Sequence, residues 1–110
     1  SLYHIYLIYA RNFCRLQALP ESVTSIEKFA FAGCNNVESI VIPKNVTSIG
    51  EGAFNECSRL KKIIIPESVT KIAESTSREE GVFYGCPSGL VIWTTKNSCA
   101  DKYAKKKELK

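Results

Sequence analysis

The sequence lacks the paired residues from which metal and thiol-based sites are usually built. His4 is the single histidine, and the five cysteines form no Cys-x-x-Cys pair. Because zinc sites usually combine paired cysteines with histidines, this spacing predicts no metal site. A cysteine nucleophile also needs a neighbouring base, and His4, close to the N-terminus, is a poor candidate. We therefore expect no metal, no cofactor and no catalytic thiol.

Other features typical of catalytic proteins are also missing. The sequence contains no glycine-rich phosphate loop. Its acidic residues are spread along the chain, and most of them fall at outward positions of the repeat described below, where solvation explains them. Glycosidase-like chemistry needs two carboxylates that face each other across a cleft, and a small stack of coils offers little cleft. The sequence therefore predicts a protein that is not an enzyme and has no catalytic residues.

Long apolar runs and a broad basic surface are absent as well. The apolar stretch from Leu2 to Ala10 is much shorter than the ~20 residues that span a bilayer, so no membrane insertion is predicted. No basic segment precedes it, which we interpret as a mature chain or a fragment. The formal charge of +4 comes mostly from residues 102–110, which hold five lysines and one glutamate. The nearly neutral body argues against nucleic-acid binding, which requires Lys and Arg gathered on one face.

A repeat of 23 residues dominates what the sequence does contain. It is marked by Pro20, Pro43 and Pro66, which stand 23 residues apart. The same spacing recurs at further apolar and polar columns: Val23/Val46/Val69, Thr24/Thr47/Thr70, Ile26/Ile49/Ile72, Phe31/Phe54, Cys34/Cys57, Ile40/Ile63 and Ile42/Ile65. So many columns in one register predict a repeat architecture. With 110 residues, of which 45% are hydrophobic, the chain is large enough for one folded core.

Each repeat predicts one short strand followed by a return segment. Residues 39–42 alternate as a strand does, and Pro43 ends it because proline cannot donate to a strand ladder. Residues 46–49 form a second extended piece, and Gly50 and Gly52 permit the bend that follows. Such a unit cannot bury its apolar face alone, so successive units must stack. The expected fold is a solenoid whose equivalent strands form parallel ladders.

The third repeat contains an insertion. Ile72 to Phe83 spans 11 residues where the equivalent Ile49 to Phe54 spans five. This difference places a polar insertion of six residues near 73–80. Insertions in repeat arrays usually form loops on one face, which either bind a partner or are simply tolerated. Both interpretations remain open.

The two ends of the chain also depart from the repeat. We interpret residues 1–19 as an irregular first coil or an N-terminal cap, and residues 20–93 as the repeats. Ser98 and Asp101 have the spacing of a capping box, which predicts a helix from about Ser98 to Leu109. This helix would cap the stack within residues 94–110, because terminal units must cover the apolar end. The whole chain, 1–110, is predicted to be a single domain.

The repeat resembles that of a known family. Residues 37–57 read Val-Glu-Ser-Ile-Val-Ile-Pro-Lys-Asn-Val-Thr-Ser-Ile-Gly-Glu-Gly-Ala-Phe-Asn-Glu-Cys, which is similar to the 23-residue repeat of BspA-like leucine-rich-repeat proteins. The resemblance covers about residues 19–93, and residues 97–105 resemble the ending that these proteins often carry. It implies an α/β, β-dominated leucine-rich-repeat solenoid, right-handed, with about three to four coils of short parallel strands and a C-terminal capping helix. It also implies an extracellular or cell-surface protein that adheres to host or matrix proteins.

The cysteines invite a structural explanation. Cys34, Cys57 and Cys86 occupy similar positions in successive units, which predicts a buried ladder of small apolar thiols. Stacked cysteines could approach the distance needed for a disulfide, but their side chains would have to turn toward the neighbouring coil.

The outward side chains of the predicted strands form the candidate partner-binding face. These residues are Glu38, Ser39 and Val41 on one coil, and Lys61, Lys62 and Ile64 on the next. Val91 or Trp93 is expected to continue the row on the last strand. Solenoids commonly bind partners on such a parallel-strand face, and Ile64 beside Val41 would form an apolar spot in a charged rim.

Two functions are open on this evidence. The first is a non-catalytic protein–protein interaction module that adheres to a host or extracellular-matrix protein. The second is a structural spacer or capping segment of a larger surface protein, with no binding site of its own. Open strand edges at the first coil, together with the apolar stretch Leu2 to Tyr9, predict a monomer or a weak end-to-end dimer.

Overall fold

The computed structural model describes residues 19–74 and 77–106. Short strands alternate with turns over most of this range. In chain order the elements are β1 (Ser25–Ile26), β2 (Ser39–Val41), β3 (Ser48–Ile49), β4 (Lys62–Ile65), β5 (Lys71–Ile72), a 3-10 helix (Arg78–Glu80), β6 (Val91–Thr94) and α1 (Cys99–Lys106). The expectations for the first coil, His4 and an end-to-end dimer concern residues outside the described part.

The strands form two parallel sheets. The first contains β1, β3 and β5, and the second contains β2, β4 and β6. Partner residues are one 23-residue repeat apart in the first sheet and between β2 and β4, where Ile40 pairs with Ile63. Between β4 and β6 the offset is six residues longer, since Ile63 pairs with Ile92. The predicted solenoid of short parallel strands is confirmed.

The strand limits differ slightly from the expectation. The second extended piece of the repeat is Ser48–Ile49 rather than residues 46–49, because the N–H of Val46 bonds back to the Pro43 carbonyl at 3.2 Å and closes a turn. The last strand runs from Val91 to Thr94, one residue later than the apolar run 90–93 indicates. Both differences arise at strand ends, where backbone hydrogen bonds rather than side-chain pattern set the limit.

Columns of equivalent side chains fill the interior. Phe31, Phe54 and Phe83 stack with ring centroids 5.7 and 5.8 Å apart and nearly parallel planes, within the range that favours offset aromatic pairs. Tyr103 of α1 meets Phe83 edge-on at 6.3 Å. The buried aliphatic columns that flank this stack include Val23/Val46/Val69, Ile26/Ile49/Ile72, Val37/Leu60 and Ile42/Ile65. One continuous core therefore extends from the first described coil to the helix.

The turns between the sheets use left-handed backbone. Gly52 has a φ of +64°, and its counterpart one coil earlier, Phe29, has a φ of +55°, which is uncommon for a residue with a side chain. The Phe29 ring lies over Gly52, where a Cβ atom would clash with it. Gly52 is therefore required both by its own backbone conformation and by the ring that covers it.

The insertion is attached to the solenoid on two sides. The buried side chain of Asn55 donates from Nδ2 to the carbonyl of Glu79 at 2.7 Å and to that of Gly81 at 3.3 Å. Lys106 of α1 binds the carboxylate of Glu74 at 2.9 Å. The insertion is a surface loop, as expected, and these contacts join it to the preceding coil and to the C-terminal helix.

The helix begins with a hydrogen-bonded cap. Ser98 Oγ accepts the N–H of Asp101 at 3.2 Å, as the capping-box spacing predicts. The Asp101 carboxylate accepts the N–H of Asn97 at 2.8 Å, one residue before the position expected for a reciprocal box. This hydrogen bond, together with Lys105, holds the pKa of Asp101 below its usual value of 3.8.

The helix covers the end of the stack with one face. Ala100 and Tyr103 are buried, whereas Cys99 and Ala104 are only partly buried. Burial and the nearby Glu74 raise the pKa of Tyr103. The expectation that the helix reaches Leu109 concerns residues outside the described part.

Candidate functional site

The structure places four of the six predicted face residues, Ser39, Val41, Lys62 and Ile64, on one side of β2 and β4. Ser39 pairs with Lys62 and Val41 pairs with Ile64, and the residues between them on each strand point into the core. Glu38 and Lys61 immediately precede the two strands, and both are exposed. We call the strand face the set of Glu38, Ser39, Val41, Lys61, Lys62 and Ile64 together with Val91 and Trp93 of β6.

The last strand extends this face by two residues. Val91 pairs with Lys62, and Trp93 pairs with Ile64. The outward side chains thus form two rows across the sheet, one of which, Val41–Ile64–Trp93, is apolar throughout. The side chains at its two ends, Val41 and Trp93, are 43% and 58% exposed. Single apolar residues are common on protein surfaces and need no explanation. A contiguous exposed apolar row, in contrast, indicates a site of interaction with another molecule.

The sequence analysis had left open whether Val91 or Trp93 continues the face. Both do, one in each row, and Trp93 is the more exposed of the two. The signal that identifies Trp93 is the size of the insertion. Adding six residues to the 23-residue period aligns Ile64 with Trp93, as the pairing shows.

The charged residues of the face have different neighbours. The ammonium of Lys62 lies 5.5 Å from the centroid of the Trp93 ring, a cation–π contact that holds the ring against β4. Lys61 and Glu38 form an ion pair at 4.0 Å, and both side chains are well exposed. Exposed pairs contribute little stability, so these two charges remain available to a partner at small cost.

The opposite sheet lacks an apolar row. Its outward positions are Ser25, Ser48 and Lys71, which pair in register across β1, β3 and β5. A groove of about 410 Å³ lies between β5 and α1 and is lined by none of the strand-face residues. Small molecules bind concave pockets, so the flat strand face suits a macromolecular surface better.

The predicted cysteine ladder is present in the turns that follow β1, β3 and β5. Cys34 and Cys57 are fully buried, and Cys86 is partly buried. A hydrogen bond with the Cys86 thiol, together with burial, raises the pKa of Cys57. The same hydrogen bond lowers the pKa of Cys86, because the neighbouring thiol donates to its thiolate.

Two kinds of feature are absent from the described residues, a metal-binding cluster and a membrane-crossing helix. No group of three or more His, Cys, Asp or Glu side chains is placed to hold a metal ion in residues 19–74 and 77–106. In the same ranges no helix has the length and apolarity that crossing a membrane requires.

Stacked coils, in-register columns and two parallel sheets define the class of protein as a leucine-rich-repeat solenoid. The comparison with protein families identifies the family within that class. The family model described as BspA type leucine-rich repeat region (6 copies) matches residues 9–100. The chain therefore belongs to the BspA-type leucine-rich-repeat family, and the resemblance noted in the sequence is confirmed. No curated protein and no solved structure matches the chain.

Membership supports general statements about function. Leucine-rich-repeat domains generally bind proteins and are generally non-catalytic. The BspA-type family is typically extracellular or surface-associated.

Proposed function

We propose that this chain is a non-catalytic interaction module of a cell-surface or secreted protein, and that its strand face binds a host or extracellular-matrix protein. The observation that carries the proposal is the exposed row Val41–Ile64–Trp93 on a flat parallel sheet. On the opposite sheet the outward row Ser25–Ser48–Lys71 is polar, so stacking of the coils alone does not require outward apolar residues.

The composition of the strand face supports a protein partner. Protein interfaces have an apolar centre with a polar rim and are enriched in aromatic residues. Tryptophan is over-represented among the few residues that carry most of the binding energy. Here Ile64 lies in the middle of the apolar row, with Val41 and Trp93 on either side, and the charged residues Glu38, Lys61 and Lys62 form one edge.

The rigidity of the sheet supports the same proposal. Binding costs free energy when side chains and loops must become ordered. The strand face is built on β2, β4 and β6, whose backbones pair in register, and the Trp93 ring already rests on Lys62. Binding of a partner would therefore require little further ordering of the side chains or backbone of the strand face.

A binding screen tests the proposal. The purified chain is titrated against extracellular-matrix and host-surface proteins, and any hit is repeated with the Lys61→Glu/Lys62→Glu variant. The matched control is Lys71→Glu, an exposed lysine on the opposite sheet. We expect saturable binding that the double variant weakens at least tenfold and the control leaves unchanged, with unaltered circular dichroism for all three proteins.

Two results would contradict this assignment. Binding that both variants retain would place the contact elsewhere on the solenoid. The absence of saturable binding at micromolar concentrations would favour the alternative, a spacer or capping segment without a binding site.

A further inference from the structure

The cysteine column brings two thiols onto neighbouring coils. The loops that carry Cys57 and Cys86 are hydrogen-bonded to each other, since the N–H of Phe54 donates to the Val82 carbonyl at 3.0 Å. The next such bond, from Glu56 N–H to the Tyr84 carbonyl, lies directly before the cysteines. Neighbouring strands of a ladder lie about 4.8 Å apart, and disulfides join residues whose Cα atoms are about 4.4–6.8 Å apart. The backbone spacing therefore suits a disulfide.

The two thiols share a hydrogen-bonding arrangement. Cys57 Sγ donates to the Phe31 carbonyl at 3.2 Å, and Cys86 Sγ donates to the Phe54 carbonyl at 3.2 Å. The interaction between the two thiols raises the pKa of Cys57 and lowers that of Cys86. Because each S–H has one proton, it serves either the carbonyl or the other sulfur. The Cys86 Sγ already reaches the coil that carries Cys57, because Phe54 lies three residues before Cys57.

The pair is asymmetric in exposure and in acidity. Cys57 is fully buried, whereas Cys86 belongs to the last coil and is partly exposed. The pKa of Cys86 is lowered by the hydrogen bond with the Cys57 thiol, and the pKa of Cys57 is raised. Thiolates, rather than thiols, are oxidised and attack disulfides. An accessible thiol beside a buried one is the arrangement of redox-sensitive cysteines that have a resolving partner.

We propose that Cys86 and Cys57 form a hydroperoxide-reactive pair in which Cys86 is oxidised first and Cys57 then closes a disulfide between the last two coils. In the first step the Cys86 thiolate attacks one oxygen of the hydroperoxide. The O–O bond breaks, Cys86 becomes a sulfenic acid, and water or an alcohol leaves. In the second step the Cys57 thiol attacks the sulfenic sulfur, the S–O bond breaks, and the thiol proton leaves with the hydroxyl group as water.

The bond would change how the solenoid opens. The last coil contains the insertion and is the only described coil whose sheet offset exceeds the 23-residue repeat. A disulfide between Cys57 and Cys86 would tie this coil covalently to its neighbour and restrict the unfolded chain, which raises stability. The oxidised form is therefore expected to have a higher thermal midpoint, reversible by a thiol reductant.

The test uses the full chain and hydrogen peroxide as the probe. After treatment, intact mass should fall by about 2 Da as two thiols become a disulfide, and peptide mapping should join Cys57 to Cys86. Cys86→Ser should abolish this link. Cys99→Ser is the matched control, because Cys99 is also partly exposed but lies on α1; it should leave the link unchanged.

A trapping experiment separates the two steps. In Cys57→Ser, dimedone should trap a sulfenic acid on Cys86, which in the wild type is removed by disulfide closure. The proposal fails if oxidation joins other cysteines, or if Cys99 is oxidised before Cys86. Should Cys57→Ser not fold, the wild-type peptide map decides, because it must show the Cys57–Cys86 link as the main product.

Discussion

The two sheets bury the same kind of residue but differ in the surface they present. Each contributes a column of isoleucines to the core: Ile26, Ile49 and Ile72 from the first sheet, and Ile40, Ile63 and Ile92 from the second. Outward, the first sheet presents serine and lysine. The second presents Val41, Ile64 and Trp93.

This difference shows which residue types the fold requires and which it leaves free to vary. Stacking requires apolar inward residues in every coil, because no coil can bury its face alone. The outward positions are free of that requirement, and the first sheet shows that serine and lysine are compatible with the same ladder. An apolar row on the second sheet therefore calls for a reason outside the fold, which is the basis of the proposed interaction surface.

The largest expected effect tests whether the two sheets share one core. Phe54 lies between Phe31 and Phe83 in the aromatic stack and is fully buried. Phe54→Ala should lower the free energy of unfolding by about 3–5 kcal/mol, because a large cavity remains. Chemical denaturation followed by circular dichroism measures this. A loss below about 1 kcal/mol would show that the sheets do not depend on the stack.

The next effect concerns the turn that follows β3. Gly52→Ala places a side chain at a positive φ and drives it into the Phe29 ring, which should cost about 1–3 kcal/mol. The double variant with Phe29→Ala should recover part of this loss, since the clash disappears while the backbone strain remains. Thermal denaturation of the wild type, the two single variants and the double variant gives the coupling free energy between Gly52 and Phe29. Strictly additive effects would exclude the ring as the cause.

A smaller effect on stability is expected on the strand face. Trp93→Ser removes an exposed ring and its contact with Lys62, which should cost about 0.5–1 kcal/mol of stability. Binding to a partner of the strand face should fall by at least tenfold. Ser48→Ala on the other sheet is the comparison and should change neither quantity appreciably. Equal losses of binding in both variants would remove the functional distinction between the sheets.

The smallest effect is pH-dependent and lies at the helix cap. The pKa of Asp101 is lowered in the folded chain, so its contribution to stability is present at pH values above the unfolded value near 3.8 and is lost as the pH falls through the folded value. The stability gap between wild type and Asp101→Asn should be constant above about pH 5 and close at lower pH. Denaturation midpoints across this range measure it. A gap that widens in acid would contradict the assignment.

Much of the fold could be predicted from the repeat. The columns identified Ile40, Ile63, Phe54 and Cys57 as inward residues, and the structure buries all four. Of the six face residues expected to point outward, Ser39, Val41, Lys62 and Ile64 lie in paired strands and share one side of the sheet. These predictions succeed because a two-residue alternation within a strand is local, and the repeat copies it from coil to coil.

Contacts between coils were harder to foresee. The attachment of the insertion by Asn55, the Phe29 ring over Gly52 and the cation–π contact of Trp93 each join residues more than 20 positions apart or involve unusual backbone. Nothing in the composition of the individual segments indicates them. Only Trp93 had a usable signal, namely the length of the insertion.

The sequence by itself therefore determined the period, the inward columns and the family of this protein, because each depends on residue types repeated at a constant spacing. Tertiary structure alone decided how the Trp93 ring meets Lys62, which thiol is accessible and where the left-handed turns lie. The physical reason is that lateral neighbours in a solenoid are set by hydrogen bonds between coils. Those bonds follow the path of the backbone through the insertion, as the pairing of Ile64 with Trp93 shows.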